Sequence, residues 1–587
     1  MKFGVLALDY DGTIARDGVL SPDIKPAIAE ARARGIVVII VTGRILSDLR
    51  RVSGDLNFVD AVVAENGAVL AFPNGRTRTL ARPPPQIFLD QLRRRGVAFT
   101  SGQCIVEADA GTAPVILATI RDLQLALVIL FNRGRLMLLP QAISKGTGLR
   151  EALHILRLSS HNAIAIGDAE NDQALLAECE FAAAVSWGST RLQAEADQVV
   201  KGDGPSAVAA YIRRVATQLR LPASRSGRHR LTLGTERNGR TVTSDVRDVN
   251  VLIVGESQSG KSWAAGLLCE QFILQGYSLC VIDPEGDYGG LAALPGVLVL
   301  GDPDRPPEIP EVARAIRHFD LSVVVDLSRV HLQEKIDYLK ALLPMLAAVR
   351  RTTGLPHRIV VDEGHYFLDE TTSKQLLDME LNAYTIVTYH PSNLVPDIRG
   401  AIDVVIAKRL TDAHEVETLL AIASNPTVAR ESLATLSELS TNEALLLTKE
   451  ASEGPRRFTL LPRLTAHVRH REKYFDFDVV PQQAFVFTEN GRPIGFPARS
   501  LKEFTGLLQS CPASSLGEHA RRGDFSRWVG DVFHDHSLAS DIRKVEQRYR
   551  LHLLDDVRQP ITSLILERYV APQEASPGRE HSAAVAV

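Results

Sequence analysis

The sequence predicts a multidomain α/β chain. Two separate stretches alternate short apolar runs with amphipathic helical patterns, and a C-terminal stretch breaks that rhythm. The length of 587 residues exceeds what one hydrophobic core supports and points to roughly three to five domains. Hydrophobic residues at 45% and charged residues at 23% fit a globular protein. A formal net charge of -4 excludes a uniformly basic nucleic-acid coat, while a local basic groove stays open. Cys104, Cys179, Cys269, Cys280 and Cys511 stand apart, with no CxxC pair. That pattern belongs to a reduced chain without a disulfide or zinc framework. The opening MKFGVLALDYDGT enters a strand at once and leaves no room for a signal peptide. The longest apolar stretch, 114–131, is broken by Arg121 and Asp122. The expectation is a cytoplasmic protein without a membrane partner.

Residues 1–221 form the first α/β region, with GVLALD, GIVVIIVTG, AVVAENG and NAIAIGD as its buried strands. Residues 82–139 interrupt the rhythm with PPP, the helix IFLDQLRRRG and β-like segments, which marks an inserted cap. An Arg/Gly/Ser-rich linker over 222–240 leads into new strands. Residues 241–462 carry the second α/β rhythm: NVLIVG, YSLCVID, LSVVVDL, HRIVVDE, AYTIVTYH and DVVIAKRL. Residues 463–570 read as a small α+β domain, a hairpin in AFVFTENGRPIGFP followed by helices. The tail 571–587 lacks large apolar residues and is expected to be disordered.

The first region gathers carboxylates at strand ends. Asp9 and Asp11 alternate past a buried strand and so can face one substrate. Thr42 ends a second strand in VTGR, Lys145 opens a helix in SKGT, and Asp168 and Asp172 follow a third strand in GDAEND. Such carboxylate density calls for a hard cation, and Mg²⁺ suits oxygen ligands. The order DxDGT, Thr, Lys, GDxxND resembles the four motifs of the haloacid dehalogenase superfamily. The Glu65-Asn66-Gly67 turn and the placement of the insertion resemble its Cof-type branch. The resemblance implies a Rossmann-like core over about residues 1–215. It implies that Asp9 attacks phosphorus to give an aspartyl-phosphate, and that Asp11 serves as general acid and then base. Thr42 and Lys145 would hold the phosphoryl oxygens, with Mg²⁺ on Asp9, the Asp11 carbonyl and Asp168, and Asp172 in support. The implied substrate is a small phosphorylated molecule such as a sugar phosphate.

The second region holds Gly255-Glu256-Ser257-Gln258-Ser259-Gly260-Lys261-Ser262, a GxxxxGK[ST] loop between an apolar strand and an apolar helix. Backbone amides of such a loop wrap phosphates, Lys261 reaches the β- and γ-phosphates of ATP, and Ser262 ligates Mg²⁺. Asp326 and Asp362 compete for the Walker B position. Asp362 is chosen because Glu363 follows it and can orient a hydrolytic water, whereas Leu327 follows Asp326. Together with VIDPEGDY, VTYHPSN and AKRLTD, these motifs resemble the HerA/FtsK-like branch of P-loop ATPases over about residues 230–450. That resemblance implies a RecA-like parallel sheet and a homo-oligomer, a hexamer in that branch, and brings double-stranded DNA into view as a partner. His390 stands where relatives place a sensor glutamine, and the β-barrel that usually precedes the motor core is absent or much shortened. Arg409 is a candidate arginine finger; an ion pair at a strand end is the competing reading.

Other signals are weaker. The basic runs 213–240 and 456–473 suit either phosphate contact or solvated linkers. His519 and His534-Asp535-His536 suit either metal ligation or helix ends. Three functions compete for the whole chain: a two-activity hydrolase combining a phosphatase with an ATPase, a DNA-translocating or DNA-end-processing motor with an accessory phosphatase, and an ATP-gated switch on a sugar-phosphate phosphatase.

Overall fold

The computed structural model describes residues 1–132, 134–222, 228–256, 259–301, 305–368, 376–422, 435–449, 454–465, 475, 483–533 and 536–569. The chain divides into two compact units, 1–284 with 288–466 and 285–287 with 467–587. The expected tail, 571–587, lies outside the described residues.

In the first unit, an eight-stranded sheet runs in the order Gln198–Val200, Phe181–Val185, Ala163–Gly167, Val5–Asp9, Val37–Val41, Ala61–Ala64, Val69–Ala71, Thr77–Thr79. The first six strands are parallel. Val5–Asp9 is buried along its whole length, which is why it is an unbroken apolar run and not an alternating one. Asp9 pairs in register with Val41, and Leu8 with Ile166. The segments after these three strands therefore emerge at one edge, bringing Asp9, Thr42 and Asp168 together.

The cap is a four-stranded antiparallel sheet, Leu127–Asn132, Arg135–Pro140, Val106–Asp109, Phe99–Ser101, with helices Gln86–Arg94 and Ala113–Asp122. Phe88, Leu92, Ile116, Leu136 and Leu138 give it a core of its own.

The second sheet of this unit has eleven strands. Its parallel part runs Val404–Ala407, Val251–Val254, Tyr384–Thr388, Arg358–Val361, Leu279–Asp283, Ser322–Asp326, Val297–Leu300. Glu443–Thr448, Arg456–Leu460, Arg230–Thr235 and Thr241–Asp245 extend it antiparallel. Residues 230–235, assigned to the linker from composition, are thus a sheet strand whose Leu231 and Leu233 are buried. The Arg/Gly/Ser-rich sequence around them had masked the alternation.

Within this unit the two α/β regions meet around a buried carboxylate. Glu180, fully buried, accepts from the Tyr277 hydroxyl at 2.8 Å and lies 2.7 Å from His161 Nδ1 and 3.3 Å from Arg247 Nε. His161 stacks on Tyr277 with ring centres 3.7 Å apart. Burial alone would push Glu180 up, but the His161 hydrogen bond, with the charges of His161, His229 and Arg247, holds its carboxyl below the usual range.

The second unit, taken by itself, carries the expected hairpin, Thr488–Glu489 with Arg492–Pro493. Five helices follow: Leu501–Ser510, Ala513–Arg522, Asp524–Val532, His536–Arg550 and Arg558–Tyr569. Phe485, Phe487, Phe504, Phe525 and Trp528 form its aromatic core. No helix of the described residues is long and apolar enough to cross a membrane.

Candidate functional sites

The first site is assembled at the strand ends just described. Gly12 turns the DYDGT loop with φ of 85°, and an added Cβ would lie 2.1 Å from Asp168 Oδ2. Only glycine allows that approach. Trp187 Nε1 donates to the Gly12 carbonyl at 2.7 Å and pins the loop. Ser144 caps the helix Lys145–Leu156 in a capping box with Thr147, which places Lys145 at the helix start, directed inward. Lys145 Nζ donates to Asp9 Oδ1 and to Asp172 Oδ1, each at 2.5 Å. Asp172 Oδ2 accepts from the amides of Asp168 and Ala169 at 3.0 and 3.1 Å.

Asp9, Asp168 and Asp172 are buried, and each brings an oxygen within 4.8 Å of the others. Asp9 Oδ2 has no hydrogen-bond partner among the described residues. Burial, Asp172 and Asp168 hold the Asp9 carboxyl well above its ordinary range against the opposing Lys145. Burial works against the Lys145 ammonium, but Asp172 and Asp9 outweigh it and raise it. Three carboxylates against one ammonium leave an excess that a divalent cation matches, and the all-oxygen donor set fits Mg²⁺. Asp172, with both oxygens engaged, braces Lys145 and the turn.

Asp11 is arranged differently from the expectation for a free acid. Arg44 donates to both its oxygens, Nε to Oδ2 at 2.6 Å and Nη2 to Oδ1 at 2.7 Å, while Nη1 reaches Asp48 at 2.6 Å. Proton donation by Asp11 requires one of these bonds to open. Thr42 is buried, and its hydroxyl accepts from the Arg44 amide at 3.2 Å.

The cavity over Asp9 is about 280 Å³, and Glu107, Arg135 and Met137 of the cap line it opposite Asp9, Asp168 and Asn171. Arg135 and Glu107 pair at 2.9 Å. Glu65, fully buried at φ of 54°, accepts from the amides of Gln103, Cys104 and Ile105 at 2.9, 2.8 and 3.3 Å. That carboxylate ties the cap to the core. Sequence reasoning marked the Glu65 turn without this role and missed Arg44, Glu107 and Arg135. Only the arginine of VTGR gave a local signal.

The second site lies where Val251–Val254 leaves the sheet. Val254 pairs with Thr388 on one side and Ala407 on the other. The loop therefore emerges between the strand leading to His390 and the strand leading to Arg409. Ser257 and Gln258 lie outside the described residues. A Cβ on Gly255 would meet Lys408 Cβ at 2.6 Å, and one on Gly260, at φ of 97°, would meet the Thr441 carbonyl at 2.9 Å. Ser259 and Lys261 are buried, Ser262 opens the helix Lys261–Leu274 beside Lys261, and Lys261 Nζ rests on the Glu256 carbonyl at 3.2 Å. Asp362 follows a strand two positions from the loop strand, whereas Asp326 ends one four positions away. At about 4.8 Å per strand that doubles the distance. Glu363 has φ of 47° and lies 3.5 Å from His365 Nδ1.

Arg409 pairs with Glu256 of the 255–262 loop at 3.4 Å, an ion pair at a strand end. Lys408, fully buried, donates to the Thr441 carbonyl at 2.8 Å and to that of Glu443, and burial drives its ammonium down to about 8. Nothing in its sequence setting announced it. His390 Nδ1 lies 2.9 Å from Glu415 Oε1.

In the basic runs, several arginines of the described residues are paired with carboxylates, while 223–227 and 466–473 lie outside the described residues. Arg456, Arg457 and Arg463 pair with Glu236, Glu443 and Glu270, and Arg213, Arg228 and Arg230 with Glu30, Asp197 and Asp245. His519 uses both ring nitrogens internally, Nδ1 with Asp524 at 2.7 Å and Nε2 accepting from the Thr488 amide at 2.9 Å. His534 and Asp535 lie outside the described residues, as do the side chains of His536 and Ser537.

Residues 6–85 and 103–212 match the family model of the haloacid dehalogenase-like hydrolases, and residues 248–434 match that of the central domain of helicase HerA. Over these segments the chain is thus similar to two families, a haloacid dehalogenase-like hydrolase and the central domain of helicase HerA. The first region is similar to the phosphoglycolate phosphatase of Methanothermobacter thermautotrophicus, 29% identical over 226 residues, covering 36% of this chain and 97% of that one. It is also similar to the phosphoglycolate phosphatase of Aeropyrum pernix, 27% identical over 230 residues, covering 37% and 96%. A haloacid dehalogenase-like hydrolase from Bacteroides thetaiotaomicron aligns over 36% of this chain and 100% of its own, at 17% identity and a TM-score of 0.32.

Proposed function

We propose that the chain is a two-site hydrolase, a Mg²⁺-dependent phosphomonoesterase and an ATPase. The observation that carries the first activity is Asp9 Oδ2, buried and without a hydrogen-bond partner among the described residues, while Lys145 holds Oδ1. Asp11 leaves Arg44 and takes a proton from solvent; Asp9 then attacks phosphorus, the bond from phosphorus to the ester oxygen breaks, and the leaving oxygen takes that proton from Asp11. Asp11 then deprotonates a water that attacks the aspartyl-phosphate, freeing phosphate and restoring Asp9. Lys145 and Thr42 offset charge on the phosphoryl oxygens. Asp9, Asp168 and the main-chain carbonyl of Asp11 would hold Mg²⁺, with Asp172 in support; when bound it supplies positive charge to the phosphoryl group. The small cavity and the phosphoglycolate phosphatases among the relatives favour a short anionic phosphate ester as substrate.

In the second site MgATP is the substrate. Amides of the 255–262 loop and Lys261 hold its phosphates, Ser262 and Asp362 its Mg²⁺, and Glu363 orients the attacking water. Separate Asp9→Ala and Lys261→Ala variants test both assignments. Each should abolish its own turnover and spare the other, and activity surviving either change refutes that site.

A second reading, ATP control of the phosphatase, is favoured by one contact. The helix Lys261–Leu274 begins at the phosphate loop, and the Gln275 carbonyl just past its end lies 3.0 Å from His161 Nε2. Phosphatase rates measured with and without a non-hydrolysable ATP analogue decide it, since control requires a coupling free energy between the sites.

A further inference from the structure

We propose that Glu415 is a positioning residue of the nucleotide site, holding His390 by Nδ1 so that Nε2 is presented to the terminal phosphate of ATP. The inference rests on the assignment of residues 255–262 as that site. Glu415 lies on the helix Ala413–Ile422 and is 4% exposed. Its Oε1 accepts from the Ser392 hydroxyl at 2.6 Å and lies 2.9 Å from His390 Nδ1, and its Oε2 accepts from the Ser392 amide at 3.0 Å. A buried carboxylate gripping three groups of one turn fixes that turn. Burial pushes Glu415 up, but the Ser392 bonds and His390 outweigh it and keep it ionised.

The placement of His390 is what makes this functional. The Tyr389 ring lies 4.1 Å from the His390 ring, with Lys261 Nζ 5.9 Å from its centre. The His365 ring also packs edge-on against His390 at 5.5 Å, and His365 Nδ1 approaches Glu363 at 3.5 Å. His390 thus sits between neighbours of both groups: Tyr389, which Lys261 approaches, and His365, which approaches Glu363. No hydrogen bond reaches His390 Nε2 among the described residues.

The segment that carries Glu415 also grips the phosphate loop. Glu256 Oε1 accepts from the Thr411 amide at 2.6 Å and from its hydroxyl, and Glu256 Oε2 pairs with Arg409. Residues 409–415 therefore hold the loop at one end and His390 at the other. A side chain held by a buried partner loses little freedom when it meets its ligand, and that preorganisation is what a positioning residue contributes.

The experiment is a double-mutant cycle on the full chain, reading ATP turnover and binding of a fluorescent, non-hydrolysable ATP analogue. His390→Ala and Glu415→Ala should each lower kcat about 10-fold while KM stays within about twofold. The double variant should be no slower than His390→Ala alone, because Glu415 acts through that ring. Ser392→Ala should leave the Glu415 effect in place. Glu415→Gln keeps an acceptor for Nδ1–H and should recover most of kcat, and its residual effect should also vanish in the His390→Ala background, which secures the test should Glu415→Ala fail to fold. Multiplying effects in the double variant overturn the inference and leave the ATPase standing. Turnover unchanged in Lys261→Ala overturns the nucleotide site itself.

Discussion

Asp9 and Asp11 stand two residues apart with different surroundings, and the difference predicts their behaviour. Asp9 shares a buried pocket with Asp168, Asp172 and Lys145. Asp9→Asn should reduce phosphatase turnover by more than about 10³-fold while ATP turnover is unchanged. Asp11 is half-exposed and clamped by Arg44. Its loss as acid and base in Asp11→Asn should lower kcat by about 10²–10⁴-fold. A phosphate-release assay on a short anionic ester reads both, and an Asp11→Asn enzyme with full kcat would remove it from the proton path. The motif order made these residues legible. Arg44, which holds Asp11 from 33 residues away, takes its role from the fold.

At the scale of elements, two connections decide whether the sites form. The cap is anchored by Glu65, and Glu65→Ala would strand three amides at Gln103, Cys104 and Ile105. Leaving buried donors unsatisfied costs about 1–3 kcal/mol. A melting temperature lower by about 2–10 °C is expected, together with a raised KM for the phosphate ester as the cap loses its seat. Calorimetry and steady-state kinetics check both, and an unchanged KM would mean the cap is seated by other contacts. The phosphate loop depends on Gly260, where φ is 97° and a Cβ would lie 2.9 Å from the Thr441 carbonyl. Gly260→Ala should therefore lose nucleotide binding, read by analogue titration, while phosphatase turnover persists.

For the molecule as a whole, the buried Glu180 joins the two α/β regions of the first unit. Its folded carboxyl titrates below the ordinary range. Its stabilisation is therefore complete above the unfolded glutamate value of about 4.3 and is lost as pH falls through the folded value. Wild-type stability should drop below about pH 4.3, and Glu180→Gln should flatten that part of the curve. Removing one partner of a buried charge cluster is also expected to cost about 3–5 kcal/mol. Urea unfolding of Glu180→Ala at neutral pH, followed by activity at both sites, should show both regions weakened together. If only one weakens, the regions are not a single cooperative unit.

The sequence by itself determined the two α/β regions, the cap insertion, the phosphate loop and the carboxylates of the first site. Each is written in contiguous residues: a buried parallel strand is an apolar run, and its chemistry sits at or just past its end. The linker reading missed the strand Arg230–Thr235, because the Arg/Gly/Ser-rich composition around it outweighed the short alternation of Leu231 and Leu233. Tertiary structure alone decided which distant side chains meet: Lys145 with Asp9 across 136 residues, Tyr277 with Glu180 across 97, Arg409 with Glu256, and Glu415 with His390. These pairings come from parallel register and helix packing, which bring strand ends to one edge regardless of their separation in sequence. A buried charge with a distant partner leaves no periodic trace along the chain, so its role appears only once the sheet is closed around it.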